Sequence, residues 1–394
     1  MDENTHTVIA RSVATKQSSR STMSLLGCFT LRARNDGAMR WGTSSPPCQR
    51  REDVTRNPNP ICVNLRNLRL YKKIICALFL ICGLCGAVAA EQPKPGAIGY
   101  SRHTLTSGGY ERQYGVYAPA HYTGKSNVPL VVILHGGGGS GWGTLRDTNW
   151  QKQADAATFL VAYPDGLARD PSKPGQFRGN PQTWNDGSGR FGQEGRDGPV
   201  DDVAFLDAML DKVVADFAVD EGRVYVTGFS NGASMTFHFG ERSKRRIAGI
   251  APVAGECWSK QPKLPHPVPL CYVTGAADPL NPLGGGVITL PGGSSAVNTT
   301  PKPPVSESIA RWCGALGEGA KPTHRETLGD NRAEIVSNQK TNSAHEVVVV
   351  TVPGLGHYWP GGAQNLPQAI AGPFVDTFDA TPFIWGFFAQ HSVD

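Results

Sequence analysis

Residues 223–232 read Arg-Val-Tyr-Val-Thr-Gly-Phe-Ser-Asn-Gly, in which β-branched and aromatic residues lead into a Gly-x-Ser-x-Gly motif. A helical run follows, so the pattern predicts a strand, a sharp turn and a helix. Gly228 and Gly232 stand two positions either side of Ser230, where side chains would collide within such a turn. A Gly- and Ser-rich turn without catalytic function is the alternative. In the predicted turn Ser230 is exposed at the carboxyl edge of a sheet, and the helix beginning at Asn231 directs its N–H groups toward an oxyanion formed there.

Apolar strands alternate with amphipathic helices on both sides of this motif. Residues 128–135 form a continuous apolar run, which is typical of a strand buried on both faces. The alternation predicts an α/β fold with a mostly parallel central sheet and helices on both faces, built as one domain over residues 91–394. Residues 167–199 and 279–304 are expected to be long loops. Further strands are predicted at 111–119, 159–163, 247–253, 268–275 and 346–352, and helices at 149–157, 201–219, 307–316 and 382–390.

The amino-terminal part of the chain differs in composition from the rest. The chain has 394 residues and a net charge of +5, and its basic excess lies in residues 1–90. Residues 1–70 lack periodicity and are expected to be a disordered extension, which reflects either a start codon assigned too far upstream or an unusual targeting segment. Residues 71–90 place two lysines before an apolar run ending in small residues, which predicts a signal peptide cleaved after Ala90; a retained anchor is the alternative. We therefore expect a secreted protein without stable membrane insertion after cleavage.

Several classes of function find no support in the remaining residues. Their net charge is slightly negative, and no basic run with interleaved aromatic residues occurs, so nucleic-acid binding is not expected. The glycines at 136–139 lack the following Gly-Lys-Ser/Thr of a phosphate-binding loop. The histidines do not have the spacing of zinc ligands. We therefore expect no metal and no cofactor, and the oligomeric state is left open.

Three of the nine cysteines lie outside the leader: Cys257, Cys271 and Cys313. An odd number allows at most one disulfide among them. Cys271 lies in an apolar strand and is expected to be a buried thiol. Cys257 and Cys313 are the candidate pair, which would suit an oxidising compartment.

A candidate acid and a candidate base follow the serine along the chain. Asp278 and His357 each come just after a predicted strand, so each should lie at the same sheet edge as Ser230. A serine nucleophile needs a histidine to take its proton and a carboxylate to orient that histidine, and the order Ser, Asp, His is typical of hydrolases with this turn. Asp201 and Asp202 are alternatives to Asp278, but they begin a predicted helix and are expected to cap it.

An acyl-transfer site built on a serine nucleophile also requires N–H donors for the oxyanion that develops on the carbonyl oxygen. One candidate is the backbone N–H of Asn231, which follows the nucleophile. The other should come from the glycines after the buried strand, where Gly137 is the first choice and Gly136 the second. Glycine lets the backbone approach a substrate without an intervening side chain.

Seven sequence blocks in one order resemble those of the secreted poly(3-hydroxybutyrate) depolymerase-like esterases, which are related to the feruloyl and acetylxylan esterases. The blocks are LHGG at 134–137, YPDG at 163–166, VDDVAFL at 200–206, GFSNG at 228–232, APVAG at 251–255, ADP at 277–279 and GHYWPG at 356–361. The resemblance implies an α/β-hydrolase fold with Ser230, Asp278 and His357 as the catalytic triad. It also implies that Trp359, and with less support Trp184, line the substrate pocket.

These observations together predict a secreted serine esterase that acts through an acyl-enzyme. The expected substrates are polyhydroxybutyrate or its oligomers, or the feruloyl or acetyl esters of plant polysaccharides. Two alternatives remain open from the sequence. One is a serine peptidase, and the other is a catalytically silent protein of the same fold that binds carbohydrate or polyester.

Overall fold

The computed structural model describes residues 98–190, 200–288, 300–317 and 321–393. The predicted extension at 1–70 and signal peptide at 71–90 lie outside these residues. Parts of the two predicted long loops, residues 191–199 and 289–299, lie outside them as well. Within the described part of the chain, no helix has the length and apolar character needed to cross a membrane.

The secondary structure follows the predicted alternation of strands and helices. The strands are β1 (Gly99–Ser107), β2 (Tyr110–Ala118), β3 (Val128–Leu134), β4 (Leu160–Pro164), β5 (Leu167–Ala168), β6 (Gln182–Thr183), β7 (Val219–Phe229), β8 (Gly249–Val253), β9 (Leu270–Gly275), β10 (His324–Leu328), β11 (Ala333–Ser337) and β12 (Val347–Val352). The helices are α1 (Gly141–Asp147), α2 (Trp150–Ala157), α3 (Asp202–Asp216), α4 (Asn231–Arg242), α5 (Val305–Leu316), α6 (Gln368–Ala371) and α7 (Ala380–Phe388).

The main sheet has the strand order β1-β2-β4-β3-β7-β8-β9-β12-β11-β10. The six strands from β4 to β12 in this order pair in parallel. Antiparallel strands flank them, with β1 and β2 on one side and β11 and β10 on the other. The predicted mostly parallel sheet is therefore confirmed, and the carboxyl ends of its six central strands lie at one edge.

Both faces of this sheet are covered by helices. In β3, Leu130, Val132 and Leu134 are buried in a core cluster that also contains residues of α3, α4 and α5. The alternate residues Val131 and Ile133 belong to a second cluster with residues of α1, α2 and α7. Successive side chains of a strand point to opposite faces, so an uninterrupted apolar run in β3 is what burial on both faces requires.

The sequence pattern does not predict β1, β10 or β11. These strands lie at the two margins of the sheet, and β10 reads His-Arg-Glu-Thr-Leu with four of its five residues exposed. Such edge strands bury too little apolar surface to show a clear alternation. The predicted long loop at 167–199 also contains the short paired strands β5 and β6.

The predicted disulfide between Cys257 and Cys313 is wrong, because Cys257, Cys271 and Cys313 are all buried thiols. The amide of Cys257 donates to Ser308 Oγ, which places Cys257 beside the first turns of α5. Cys313 lies five residues beyond Ser308, about 7.5 Å further along the axis of α5. The buried thiol predicted for Cys271 is confirmed.

Candidate active site

Ser230 occupies the sharp turn between β7 and α4. Its backbone has φ 56° and ψ −116°, outside the regions that side-chain-bearing residues normally adopt. The turn is packed so closely that a Cβ atom on Gly232 would lie 2.3 Å from the carbonyl oxygen of Leu134. A Cβ on Gly228 would lie 2.4 Å from the carbonyl oxygen of Gly232. The two glycines of the motif are therefore required by the contacts that hold the strained serine in place.

His357 lies between Ser230 and Asp278. Its Nδ1 is 2.7 Å from Asp278 Oδ2, and its Nε2 is 2.9 Å from Ser230 Oγ. An ionised carboxylate only accepts hydrogen bonds, so Nδ1 carries the proton and Nε2 presents its lone pair to the serine hydroxyl. The other carboxylate oxygen, Oδ1, accepts the backbone N–H groups of Leu280 and Asn281 at 2.8 and 2.7 Å. Both oxygens of Asp278 therefore have partners, and its orientation is fixed.

The sheet order explains why these three side chains meet. Ser230 follows β7, Asp278 follows β9 and His357 follows β12, and these strands lie close together in the parallel part of the sheet. The loop that carries the histidine is held by backbone hydrogen bonds. The N–H of His357 donates to Ala371 O at 2.6 Å, and the N–H of Gly356 donates to Pro373 O at 2.7 Å. The histidine is thereby tied to the segment around α6.

The glycine-rich loop after β3 passes directly beside Ser230. A Cβ on Gly136 would lie 3.4 Å from Ser230 Cβ, which is ordinary van der Waals contact. The N–H of Gly138 donates to Gln182 O at 2.7 Å, and the N–H of Gly139 donates to Gly136 O at 2.9 Å. The loop therefore has a defined conformation next to the serine.

The sequence of residues 121–298 matches the family described as phospholipases and carboxylesterases. The putative esterase NocK of Nocardia uniformis subsp. tsuyamanensis is 32% identical over 269 residues, which cover 65% of this chain and 71% of that protein. The chain belongs to the phospholipase/carboxylesterase family. It is therefore a carboxylic ester hydrolase with the α/β-hydrolase fold.

Two further relatives of this carboxylesterase carry names that specify an ester. Poly(3-hydroxyalkanoate) depolymerase C of Paucimonas lemoignei is 25% identical over 266 residues, which cover 60% of this chain and 56% of that protein. Feruloyl esterase C of Emericella nidulans is 28% identical over 193 residues, which cover 47% of this chain and 62% of that protein. The match thus covers less than two thirds of either relative. The resemblance to polyester depolymerases and feruloyl esterases is confirmed.

The side chain of Asn231 connects the start of α4 to a neighbouring segment of the carboxylesterase. Its Oδ1 accepts the N–H of Trp184 at 2.8 Å, and its Nδ2 donates to Trp184 O at 3.1 Å and to Asp186 Oδ2 at 2.8 Å. The indole Nε1 of Trp184 in turn donates to His135 O at 2.9 Å. These hydrogen bonds join the serine turn, the Trp184 segment and the glycine loop into one rigid unit.

His135 fixes the first residue of the glycine loop. Its Nε2 accepts the N–H of Gly166 at 2.8 Å, so its proton is on Nδ1, which donates to Gly136 O at 2.7 Å. Burial lowers the pKa of His135, which keeps the ring neutral. A neutral ring with this tautomer joins the carbonyl of Gly136 to the N–H of Gly166, so His135 has a structural rather than a catalytic role.

The two alternative aspartates do not contact His357. Asp201 caps α3 by accepting the N–H of Ala204 at 2.8 Å, as the sequence predicts. Asp202 forms a buried ion pair with Arg112 at 2.6 Å, and its second oxygen accepts the N–H of Asn185 at 2.7 Å. Asp202 therefore anchors the segment that Asn231 also binds.

Both tryptophans that were expected to line the pocket are buried in this structure. Trp359 is 4% exposed, and its Nε1 donates to Thr381 Oγ1 at 2.9 Å. Trp184 is fully buried and has the hydrogen bond to His135 described above. Each indole packs and bonds within the fold, and contact of either with substrate stays a prediction.

A group of buried polar residues near Asp278 gives no signal in the sequence. Lys302 Nζ donates to Asn281 Oδ1 at 2.6 Å, and the N–H of Asn281 holds Asp278. Glu256 follows β8, between the strands that precede Ser230 and Asp278. Burial lowers the pKa of Lys302 to about 8 and raises the pKa of Glu256 to about 7. Single residues in irregular loops carry no periodicity, so only the fold brings them together.

The described residues include no group of three or more His, Cys, Asp or Glu side chains arranged to hold a metal ion. The groups available at this site are a hydroxyl, an imidazole, a carboxylate and backbone amides. Such groups suit proton transfer and nucleophilic attack.

Proposed function

We propose that the protein is a secreted serine esterase in which Ser230 is the nucleophile, His357 the general base and Asp278 the residue that orients the base. The observation that carries this proposal is the position of His357, whose two ring nitrogens lie 2.9 Å from Ser230 Oγ and 2.7 Å from Asp278 Oδ2. A serine beside a neutral histidine that is oriented by a carboxylate is the arrangement that activates a hydroxyl.

In the acylation step, Nε2 of His357 takes the proton of Ser230 as Oγ attacks the ester carbonyl carbon. The carbonyl oxygen becomes an oxyanion, and the imidazolium is stabilised by Asp278. His357 then gives its proton to the alkoxy oxygen of the substrate, the ester bond breaks and the alcohol leaves. The acyl group remains on Ser230 as an ester.

Water completes the cycle by the same route. Nε2 of His357 removes a proton from a water molecule as the water oxygen attacks the acyl carbon. The proton then returns from His357 to Oγ of Ser230, and the carboxylic acid leaves. The enzyme regains its starting protonation state, and the net reaction is an ester plus water giving an acid plus an alcohol.

The oxyanion in both steps is bound by the N–H groups of Asn231 and Gly137. Asn231 directly follows the nucleophile at the start of α4, where the helix dipole is positive. In the glycine loop the amides of Gly138 and Gly139 already donate within the protein, which favours the amide of Gly137. Gly136 is the second choice. Each such donor contributes about 10²-fold or more to kcat.

The substrate is an ester of a hydroxyalkanoate polymer or oligomer, or a feruloyl or acetyl ester of a plant polysaccharide. The names of the related depolymerase and feruloyl esterase support this range. Secretion is the part of the proposal that depends on the signal peptide expected at residues 71–90.

The proposal is tested by the kcat/KM of the full chain on methyl ferulate, on a soluble 3-hydroxybutyrate trimer and on an acetylated sugar. Ser230→Ala is the blank, and its kcat is expected to be lower by about 10⁵ or more. Turnover of at least one ester that depends on Ser230 supports the proposal, and the preferred ester selects the substrate class. No turnover of any of the three that depends on Ser230 would favour the non-catalytic binding protein.

A further inference from the structure

The most exposed large aromatic side chain among the described residues is Phe177, at 58%. It lies in the segment that connects the paired strands β5 and β6. Trp184, which directly follows β6 and is a predicted pocket residue, is by contrast fully buried. A single exposed phenyl ring that is remote from a functional site is common and does not indicate a function. The position of this ring makes it informative.

One edge of the Phe177 ring rests on the glycine loop beside Ser230. A Cβ atom on Gly138 would lie 2.9 Å from Cδ2 of Phe177, so the ring occupies the space that a side chain would need there. Gly138 has a φ of 80°, and its amide is bound to Gln182 O at the base of the same hairpin. The ring therefore lies next to the residue that follows Gly137, one of the proposed oxyanion donors.

The turn that carries Phe177 is held in place by Asn180. The backbones of Gln176 and Asn180 exchange two hydrogen bonds, of 2.8 and 3.1 Å, around the phenylalanine. The buried Nδ2 of Asn180 donates to three carbonyl oxygens, those of Asp170, Lys173 and Pro174. An aromatic ring on such a fixed turn loses little conformational freedom when a ligand packs against it.

A second phenyl ring, that of Phe229, lies beside Gly136, the residue that precedes Gly137. A Cβ on Gly136 would lie 3.3 Å from Cδ1 of Phe229, and the Phe229 ring lies 4.7 Å from the His357 ring. The residues on either side of Gly137 thus each contact a phenylalanine. A carbonyl group bound at the Gly137 amide would have its substituent close to an apolar aromatic surface.

We propose that Phe177 contacts the acyl group of the substrate and makes the enzyme selective for planar aromatic acyl groups over short aliphatic ones. The inference rests on the proposed function, because it places the acyl group with respect to Ser230 and Gly137. Aromatic rings attract one another in offset-stacked and edge-to-face arrangements beyond the effect of apolar area alone. An aliphatic acyl chain gains only the smaller stabilisation that comes from burying apolar area against the ring.

The test compares two methyl esters, methyl ferulate and methyl 3-hydroxybutyrate, which share a leaving group. Phe177→Ala is expected to lower kcat/KM for methyl ferulate by about 10-fold and to change that for methyl 3-hydroxybutyrate less than twofold. Phe177→Leu, which keeps an apolar side chain, should recover less than half of the loss. Tyr100→Ala, at an exposed aromatic residue on edge strand β1, is the matched control and should change neither value.

Equal loss for both esters in Phe177→Ala would show a structural role and overturn the inference. Full recovery in Phe177→Leu would overturn the aromatic selectivity, since an apolar contact would then suffice. If the parent enzyme hydrolyses the aliphatic ester through Ser230 but not the aromatic one, the inference fails and the proposed function stands. If neither methyl ester shows turnover that depends on Ser230, the inference fails, and the proposed function fails with it only if the 3-hydroxybutyrate trimer and the acetylated sugar are not hydrolysed through Ser230 either.

Discussion

The carboxyl edge of the parallel strands and the antiparallel margin formed by β10 and β11 belong to one sheet but differ in how closely their residues are held. At the carboxyl edge, Ser230 has a strained backbone and Gly232 has no room for a Cβ. At the margin, most of β10 is exposed, and Arg325 pairs with Glu334 at the surface. The backbone is therefore most tightly constrained at the carboxyl edge, where the side chains of a site must be positioned to within a fraction of an ångström.

Among substitutions that leave Ser230 in place, the largest effect should follow from changing Asp278 to asparagine at the constrained edge. The amide can present an N–H to His357 Nδ1 in place of an acceptor, which favours the wrong tautomer of the imidazole. We expect kcat to fall about 10⁴-fold with little loss of stability. Steady-state hydrolysis of a soluble ester measures this.

Asp201→Asn is the matched control for Asp278→Asn. Asp201 caps α3, and asparagine caps helices equally well, so activity and stability should both be retained. A loss of less than 10-fold in Asp278→Asn, or a comparable loss in the control, would contradict the role assigned to Asp278.

A methyl group added to the serine turn should have the next largest effect, on both stability and activity. In Gly232→Ala the new Cβ would meet the backbone oxygen of Leu134, so the turn must shift. We expect a loss of about 3 kcal/mol in the free energy of unfolding, together with about 10²-fold lower activity as Ser230 moves. Urea denaturation and ester hydrolysis on the same samples measure both effects.

Gly314→Ala is the corresponding change in a helix with free space. Gly314 lies in α5, and a Cβ atom added there would meet no atom within 4 Å beyond the backbone of its own helix. Alanine should therefore stabilise the protein by about 0.5–1 kcal/mol. Equal changes in the free energy of unfolding for Gly232→Ala and Gly314→Ala would show that the serine turn is no more tightly packed than α5.

A smaller, pH-dependent effect is expected at Glu256. Burial raises the pKa of its carboxyl to about 7, while Lys302, Arg311 and Arg190 act in the opposite direction. A raised pKa in the folded state means that the stabilisation is complete below the ordinary pKa of 4.5 and is lost as the pH rises through 7.

The Tm of the parent protein should therefore fall relative to that of Glu256→Gln between pH 5 and pH 7. In a protein of this size, a loss of roughly 1 kcal/mol in the free energy of unfolding lowers the Tm by about 3 °C. Calorimetry of both proteins across this range measures the difference. A difference in Tm that does not vary with pH would show that Glu256 stays ionised throughout.

The smallest effect is expected at the margin. Arg325 is 68% exposed and its partner Glu334 is 35% exposed, so solvent screens their attraction. Arg325→Ala should change the free energy of unfolding by less than about 0.5 kcal/mol. A change above about 1 kcal/mol in urea denaturation would mean that the margin is more tightly coupled to the core than its exposure indicates.

The same contrast explains what the sequence could predict. Strand β3 is buried on both faces over almost its whole length and has a long apolar run, and residues 224–228 of β7 are a shorter buried block, so the parallel core follows from such segments. The positions of Ser230, Asp278 and His357 at strand ends then follow from topology. Strand β10 could not be predicted in this way, because four of its five residues are exposed and do not need to be apolar.

The sequence pattern could not predict which side chains of the loops are buried and which are exposed. Trp184 and Trp359 are both buried, and each indole N–H has an acceptor inside the fold, so their contact with substrate stays a prediction. Phe177 carries no motif, and only the packing of its turn against Gly138 reveals where it lies. The disulfide prediction failed because spacing along the chain does not show which residues of α5 lie next to Cys257.

The most direct test of the account is covalent labelling of the folded protein with a serine-directed fluorophosphonate, followed by mass spectrometry of its peptides. We predict one adduct, on Ser230, with the label lost in Ser230→Ala and strongly slowed in Asp278→Asn. Labelling of another serine at a comparable rate, or no adduct on Ser230 in a protein that unfolds cooperatively, would contradict the assignment of Ser230 as the nucleophile.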